Sequence, residues 1–315
     1  MTTPLIIGSR GSDLALWQSR WVAAHLGAPT EIRIIHTQGD KILDRDLTAA
    51  EGKGFFTKEL EDALYAKSID IAVHSLKDLP TETPPGLTIA AVCERAPVSD
   101  ILLVHPDWYD PSRPFPVKAG GTVGASSLRR QAYVRAAGPD VEPTSLRGNV
   151  PTRVRKCREG QYAAVVLAEA GLSRLSLDVG PLKVFRLSRQ HWLPAPGQGA
   201  LGIETRAGDG AAPVVFTLNH EATRNACEIE RGLLSRFEGG CHLPLGTYAE
   251  ATKGGFRFRA LFAPEPDRLV GCDVAGSDVK STVEAAYETL VAMSSRGERT
   301  PFERGGLCEP VAAWS

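Results

Sequence analysis

Three times in this sequence a short apolar run ends in small residues and serines and then passes into an arginine-bearing helical segment. PLIIGSRGS leads into SDLALWQSRWVAAHL, GTVGASS into LRRQAYVRAAG, and TSLRGN into VPTRVRKCREGQ. The apolar runs have the length of buried strands, and Leu14, Trp17, Trp21 and Leu26 recur near helical spacing. Ser12, Ser126 and Ser127 suit helix N-caps, and Pro151 suits a first helical turn. Strands that alternate with helices argue for α/β lobes with mainly parallel sheets, because parallel neighbours need a crossover between them. The repetition also sets arginines at strand ends, where open α/β sheets bind ligands.

The remaining segments fill in that frame. EIRIIHT, IDIAVHS, LTIAAVC, DILLVHP and AAVVLAEA read as strands and FFTKELEDALYAKS as a helix, while GDKILDRDLTAAEGKG is a polar, glycine-bounded loop. LPAPGQGALGIET is rich in proline and glycine and reads as a linker or a crossover between lobes. After RAGDGAAP the texture changes: Ala222, Ala226, Ile229, Leu233 and Phe237 form one helical stripe stopped by Gly239 and Gly240. Short antiparallel strands and one more helix follow, which predicts a third, smaller α+β domain. A chain of 315 residues is long for a single core and fits two or three domains of roughly 100 to 150 residues.

Charge and cysteine usage narrow the function classes. The formal net charge is −1, so positive charge for binding must be local, and no aromatic platform is interleaved with Arg153, Arg155, Lys156 and Arg158. A nucleic-acid partner is therefore not expected. No basic segment followed by an apolar run opens the sequence, and no apolar stretch reaches ~18 residues, so neither secretion nor membrane insertion is expected. Six cysteines without a C-x-x-C pair fit free thiols in a reducing cytoplasm.

Three groups of residues can carry chemistry. Arg10, Arg129, Arg130, Arg147, Arg153 and Arg174 near strand ends suit a substrate with several acidic groups, since guanidinium forks bind carboxylates in bidentate fashion. Solvated helix faces are the other reading of each arginine taken singly. His74, Ser75, Lys77 and Asp78 close a buried strand; the Asp78 carboxylate can accept N–H groups or stabilise a cation, or pair with Lys77 at the surface. His74 by itself reads as a structural, hydrogen-bonded histidine. In FEGGCHLPLG, Cys241 follows a helix stop on a backbone that Gly239 and Gly240 leave accessible. It is either a turn cysteine filling a small gap or a thiolate facing cationic side chains.

GSRGSDLALWQ, GKGFFTKELE, DIAVHSLKDLPTE, GASSLRRQ, LRGNVPTRV, LPAPGQGALGIE and FEGGCHLPLG, in this order over roughly residues 5 to 250, closely resemble hydroxymethylbilane synthases, also called porphobilinogen deaminases. The resemblance implies an α/β enzyme with two lobes like type II periplasmic binding proteins plus a smaller C-terminal α+β domain. Its implied boundaries are residues 1–94 with 194–212, 95–193, and 213–315. It implies a transferase of tetrapyrrole biosynthesis that condenses four porphobilinogen molecules head to tail, with loss of ammonia, and releases linear hydroxymethylbilane by hydrolysis. The implied cofactor is a dipyrromethane held by a thioether to Cys241. Asp78 would hold pyrrole N–H groups and stabilise the positive charge that develops as the aminomethyl nitrogen leaves. Arg10, in the loop facing the Asp78 strand end, would lie nearest that step. Arg129, Arg130, Arg147, Arg153 and Arg174, with Ser12, Lys53, Ser75, Lys77 and Ser127, would grip the acetate and propionate groups. Gln198 and Gly199 would line the cofactor side. A cytoplasmic monomer that passes its product to uroporphyrinogen III synthase completes the expectation.

Two stretches depart from the family pattern: Ala49 and Ala50 leave the loop without the lysine that many relatives place shortly before the GKG, and Asp13 replaces a common proline. A non-catalytic two-lobed carboxylate carrier is the rival reading, although it has no need of a third domain or of the GGC loop. A cysteine hydrolase needs a histidine partner, and His242 next to Cys241 on an extended loop points the opposite way.

Overall fold

The computed structural model describes residues 3–36, 57–237 and 243–311. The chain divides into two compact units, Met1–Ala96 with Gly199–Asn225 and Pro97–Gln198 with Ala226–Ser315.

The first unit is built on strands β1 (Leu5–Ser9), β2 (Thr30–Ile34), β3 (Ile71–Ser75), β4 (Leu87–Val92) and β10 (Leu201–Arg206), ordered β2-β1-β3-β10-β4. β1 runs parallel to β2 and β3, whereas β10 is antiparallel to β3 and β4 on either side of it. The mainly parallel sheet expected from sequence is therefore present with one reversed strand, because the chain re-enters this sheet after building the second. Helices α1 (Asp13–His25) and α6 (Ala211–Phe216) share one core with Ile7, Ile71, Val73 and Ile203. Helix α2 (Lys58–Tyr65) packs Leu60 and Leu64 with Ile69 and Ala72 in another. Covering both faces explains why β3 is a continuous apolar run. Where the expected first lobe ended at 212, the compact unit extends to Asn225: Val214, Val215 and Leu218 join its core, and Arg224 donates to the carbonyl oxygens of Ile89 and Ala90 at 3.2 and 3.1 Å.

The second unit holds β5 (Asp100–Val104), β6 (Thr122–Gly124), β7 (Glu142–Thr144), β8 (Ala164–Ala168), β9 (Lys183–Leu187) and β14 (Cys308–Pro310), ordered β14-β9-β5-β8-β6-β7. β6 is parallel to β7 and β8, and β5 is antiparallel to β8 and β9. Along β5, Leu102 and Val104 enter one core while Ile101 and Leu103 enter another, the period-two signature of a strand buried on both faces. Helix α3 (Leu128–Ala137) lies on the first core, and α4 (Val150–Arg158) and α5 (Glu169–Arg174) on the second.

An antiparallel meander of β11 (Leu245–Thr252), β12 (Gly255–Glu265) and β13 (Arg268–Gly276) belongs to the same unit. One of its faces packs against α7 (Glu221–Arg236) and α8 (Val279–Ser295) around Ile229, Leu233, Phe258, Val270 and Leu290. This is the smaller α+β element that the change of texture predicted. Of the expected α7 stripe, Ala226, Ile229, Leu233 and Phe237 pack into that core, while Ala222 is exposed.

At Gly246 the meander meets helix α3 and the segment after β9. A Cβ at this position would overlap the Tyr133 hydroxyl and come within 2.8 Å of the Leu193 carbonyl oxygen. Gly246→Ala is therefore expected to lower the unfolding free energy by about 1–3 kcal/mol, read as a lower urea midpoint at unchanged m-value.

Candidate functional site

In the first unit the register sets the expected residues at one end of the sheet. Ile7 pairs with Ile71 and Gly8 with Ala72, so the segments after Ser9 and after Ser75 leave neighbouring parallel strands at the same edge. Arg10 and Ser12 follow β1, and Ser12 caps α1 by accepting from the Ala15 backbone N–H at 3.4 Å. Asp13 is the first residue of α1, where a carboxylate interacts favourably with the helix N-terminus. The departure from proline therefore keeps a residue suited to that position.

Ser75, Lys77 and Asp78 follow β3 through a single tight turn, Leu76–Asp78. The turn is pinned from below: Leu76 and Leu79 are buried, and the Leu76 N–H donates to the Ala200 carbonyl at 3.0 Å. Gly202 on β10 makes room for them, since a Cβ there would stand 2.9 Å from Leu76 and 3.1 Å from Leu79. Asp78 itself is exposed and Lys77 half-buried. Gly199, at φ +90, accepts from the Ala96 N–H at 3.2 Å just before β10 begins.

The expected apolar stripe of α1 is buried only in part: Leu26 lies in the core and Trp21 packs against it. Leu14, Trp17 and Trp21 are half-buried, whereas Gln18, Ser19 and Val22 are buried. Gln18 is inside because its amide donates to the Ser75 hydroxyl at 2.8 Å, tying α1 to the β3 end. His74 is buried 3.2 Å from the Glu204 carboxylate. Glu61 adds a second carboxyl to this interior cluster: burial pushes its pKa up, the Thr57 hydrogen bond opposes that, and the charge of Glu204 reinforces it.

The second unit repeats the plan on three neighbouring parallel strands. Ser127 follows β6 and caps α3 through the Arg130 N–H at 3.3 Å. Arg147 follows β7, ahead of α4, which Asn149 caps through the Thr152 N–H at 3.0 Å. Arg153, on α4, donates to the Gly148 carbonyl and to the Ser126 hydroxyl, each at 2.6 Å. Arg174 ends α5, the helix that follows β8.

Arg129 and Arg130 behave differently from surface ligand arginines. They are 3% and 6% exposed, and both converge on Asp100, the fully buried first residue of β5. Arg130 grips it side-on, with Nε to Oδ2 at 3.2 Å and Nη2 to Oδ1 at 2.7 Å. Arg129 Nη2 donates to Oδ2 at 2.8 Å, and its Nη1 donates to the Leu193 carbonyl at 2.6 Å. Trp192 Nε1 and Gln198 Nε2 each donate to the same carboxylate at 2.9 Å. Burial alone would raise the Asp100 pKa, but the two guanidinium groups hold it far below the ordinary carboxylate range. With a depressed folded-state pKa, its contribution is present above the ordinary Asp value and is lost only as the pH falls well below it. Taking one partner from such a buried pair costs about 3–5 kcal/mol.

Sequence reasoning missed Asp100, Trp192 and Glu230. The available signal for the first was an aspartate opening the otherwise apolar run DILLV. Glu230, fully buried on α7, accepts from the Gly197 N–H at 2.8 Å and the Ala249 N–H at 3.0 Å, joining the crossover segment to β11. A cavity of about 780 Å³ in this unit, lined by Arg186, Arg189, Tyr248 and Arg259 among others, includes none of the expected site residues.

Lys53, Ala49, Ala50, Cys241 and His242 lie outside the described residues. Of the other cysteines, Cys93, Cys157 and Cys227 are buried and Cys272 and Cys308 half-buried. Burial pushes the thiols of Cys157, Cys272 and Cys308 up to about 12. In the native protein at neutral pH these three are expected to resist iodoacetamide and to react after denaturation, as peptide mass spectrometry would record.

Comparison with known proteins bears on the chain as a whole. A family model described as "Porphobilinogen deaminase, dipyromethane cofactor binding domain" matches residues 5–213, and one described as "Porphobilinogen deaminase, C-terminal domain" matches residues 225–273. A porphobilinogen deaminase of Carboxydothermus hydrogenoformans is 41% identical over 276 residues, covering 86% of this chain and 87% of the relative. One from Moorella thermoacetica is 41% identical over 297 residues, covering 92% and 93%. One from Helicobacter acinonychis is 37% identical over 309 residues, covering 95% and 98%. Matched along nearly its whole length by relatives of one kind, the chain belongs to the porphobilinogen deaminase family.

Proposed function

We propose that this transferase joins four porphobilinogen molecules head to tail onto a dipyrromethane attached through a thioether at Cys241, and then releases linear hydroxymethylbilane. Each condensation forms one carbon–carbon bond and releases one ammonia, and the final release consumes one water. The observation that carries the reading is the buried Arg129–Asp100–Arg130 cluster. Two guanidinium groups sharing one carboxylate leave a surplus of one positive charge inside the protein, which fits a group that brings carboxylates of its own. A dipyrromethane, whose rings carry acetate and propionate, is such a group, and the matched cofactor-binding domain names it. When bound, it supplies the primer pyrrole for chain growth.

The chain's own residues divide the remaining work. The exposed Asp78 carboxylate accepts pyrrole N–H groups and stabilises the positive charge that develops as ammonia leaves. Arg10 lies beside that step, and Ser12, Lys53, Ser75 and Lys77 hold substrate carboxylates with it. Ser127, Arg129, Arg130, Arg147, Arg153 and Arg174 take acetate and propionate groups of substrate, primer and growing chain alike, with Gln198 and Gly199 on the cofactor side. High thiol pKa values at Cys157, Cys272 and Cys308 support Cys241 as the attachment point. Among the described residues no helix is long and apolar enough to cross a membrane. The reading places the protein in the cytoplasm as a monomer whose product passes to uroporphyrinogen III synthase.

The test is stoichiometric. Purified protein given porphobilinogen should release four ammonia per hydroxymethylbilane, and its intact mass before reaction should exceed the sequence mass by one dipyrrole. Turnover by protein of unmodified mass would sink the covalent primer. Retention of porphobilinogen without ammonia release would favour the carrier.

A further inference from the structure

Asp100 does more than neutralise charge. A guanidinium group has two edges able to grip a carboxylate, one formed by Nε and Nη2 and the other by Nη1 and Nη2. Asp100 occupies the first edge of Arg130, so the covalent geometry of the group turns its second edge away from Asp100. One corner of Arg129 is fixed by the same carboxylate and another by the Leu193 carbonyl. Trp192 and Gln198, on the segment leading out of this unit, share the two Asp100 oxygens with the arginines. A single carboxylate thus accepts five hydrogen bonds from four side chains, and none of these groups can turn without breaking a bond to a fully buried acceptor.

We infer that Asp100 is a positioning residue for ligand carboxylates, holding the Arg129 and Arg130 forks so that the free edge of Arg130 receives an acidic group of the pyrrole ligand. The inference rests on the reading of the ligand as a carboxylated pyrrole. It places Asp100 behind the arginines, acting through them and touching no substrate.

Two roles for Asp100 predict opposite signs. A mere counter-ion competes with the ligand for the arginines, so its removal should tighten the binding of an acidic ligand or leave it unchanged. A positioning group pre-orients the donors, and its removal should weaken binding even though the net positive charge rises.

The experiment measures the Kd of porphobilinogen by calorimetry in the Asp78→Ala background, with and without Asp100→Asn. Circular dichroism establishes the folded fraction, and intact mass records the retained dipyrrole. The expected result is at least a tenfold weaker Kd in folded Asp100→Asn, with a lower proportion of protein carrying the dipyrrole. Trp192→Phe removes one donor to Asp100 at unchanged charge, and a two- to fivefold weaker Kd is expected from it. It decides the question should Asp100→Asn fail to fold. An equal or tighter Kd in the folded variant overturns the inference. Protein with intact Asp78 that binds porphobilinogen without turning it over defeats the enzymatic reading while the Kd comparison still decides this one. No binding of porphobilinogen by protein with intact Asp78 defeats both.

Discussion

Asp78→Ala is expected to lower kcat by about 10²–10³-fold while leaving the fold in place, the scale found when one preorganised stabiliser of transition-state charge is removed. The structure separates the two effects. Packing of the turn comes from Leu76 and Leu79, which are 1% and 4% exposed, while the Asp78 carboxylate is exposed. Removing an exposed carboxylate outside the core changes stability by about 0.5 kcal/mol or less. Steady-state kinetics with the thermal midpoint measured in parallel checks both halves. A kcat near that of the parent protein at unchanged midpoint would show that another group stabilises the developing charge, and a collapsed midpoint would make Asp78 a structural residue.

Cys241→Ser should yield protein of unmodified mass that has lost most of its turnover. A serine hydroxyl is a far weaker nucleophile than a thiol, so the thioether has no ready substitute. A covalently held primer faces the reacting centre at an effective concentration in the mM range, whereas a free primer at μM concentration is about 10³-fold more dilute. A loss of that order is therefore expected when free dipyrrole is supplied at μM concentration. Unchanged turnover in Cys241→Ser would remove the anchor from the mechanism, and a retained dipyrrole mass would move it to another residue.

Much of the scaffold around these residues was legible because it is local. Ser12 and Ser127 each accept from a backbone N–H three residues ahead, so a short window contains both partners, whereas Ser126, the other expected cap, donates to the Leu146 carbonyl at 2.7 Å. The strands read as apolar runs because helices cover both faces of their sheets. Less legible was the partial burial of Trp17 and Trp21 while Gln18 turns inward, since the partner of Gln18 is Ser75, 57 residues away. The reversed β10 was invisible for the same reason: strand direction is a property of where the chain returns.

For the candidate site, the sequence by itself determined the inventory: which arginines follow strand ends, that an aspartate follows β3 within three residues, and that a cysteine stands in a glycine-rich segment. Residue type and short-range order suffice for that. Only the tertiary structure decided what Arg129 and Arg130 do with their donors, since Asp100 meets Arg129, Arg130, Trp192 and Gln198 across separations of 29, 30, 92 and 98 residues. A buried carboxylate must collect donors from wherever the chain brings them, because leaving it bare in a low-dielectric interior costs more than any local preference can offset.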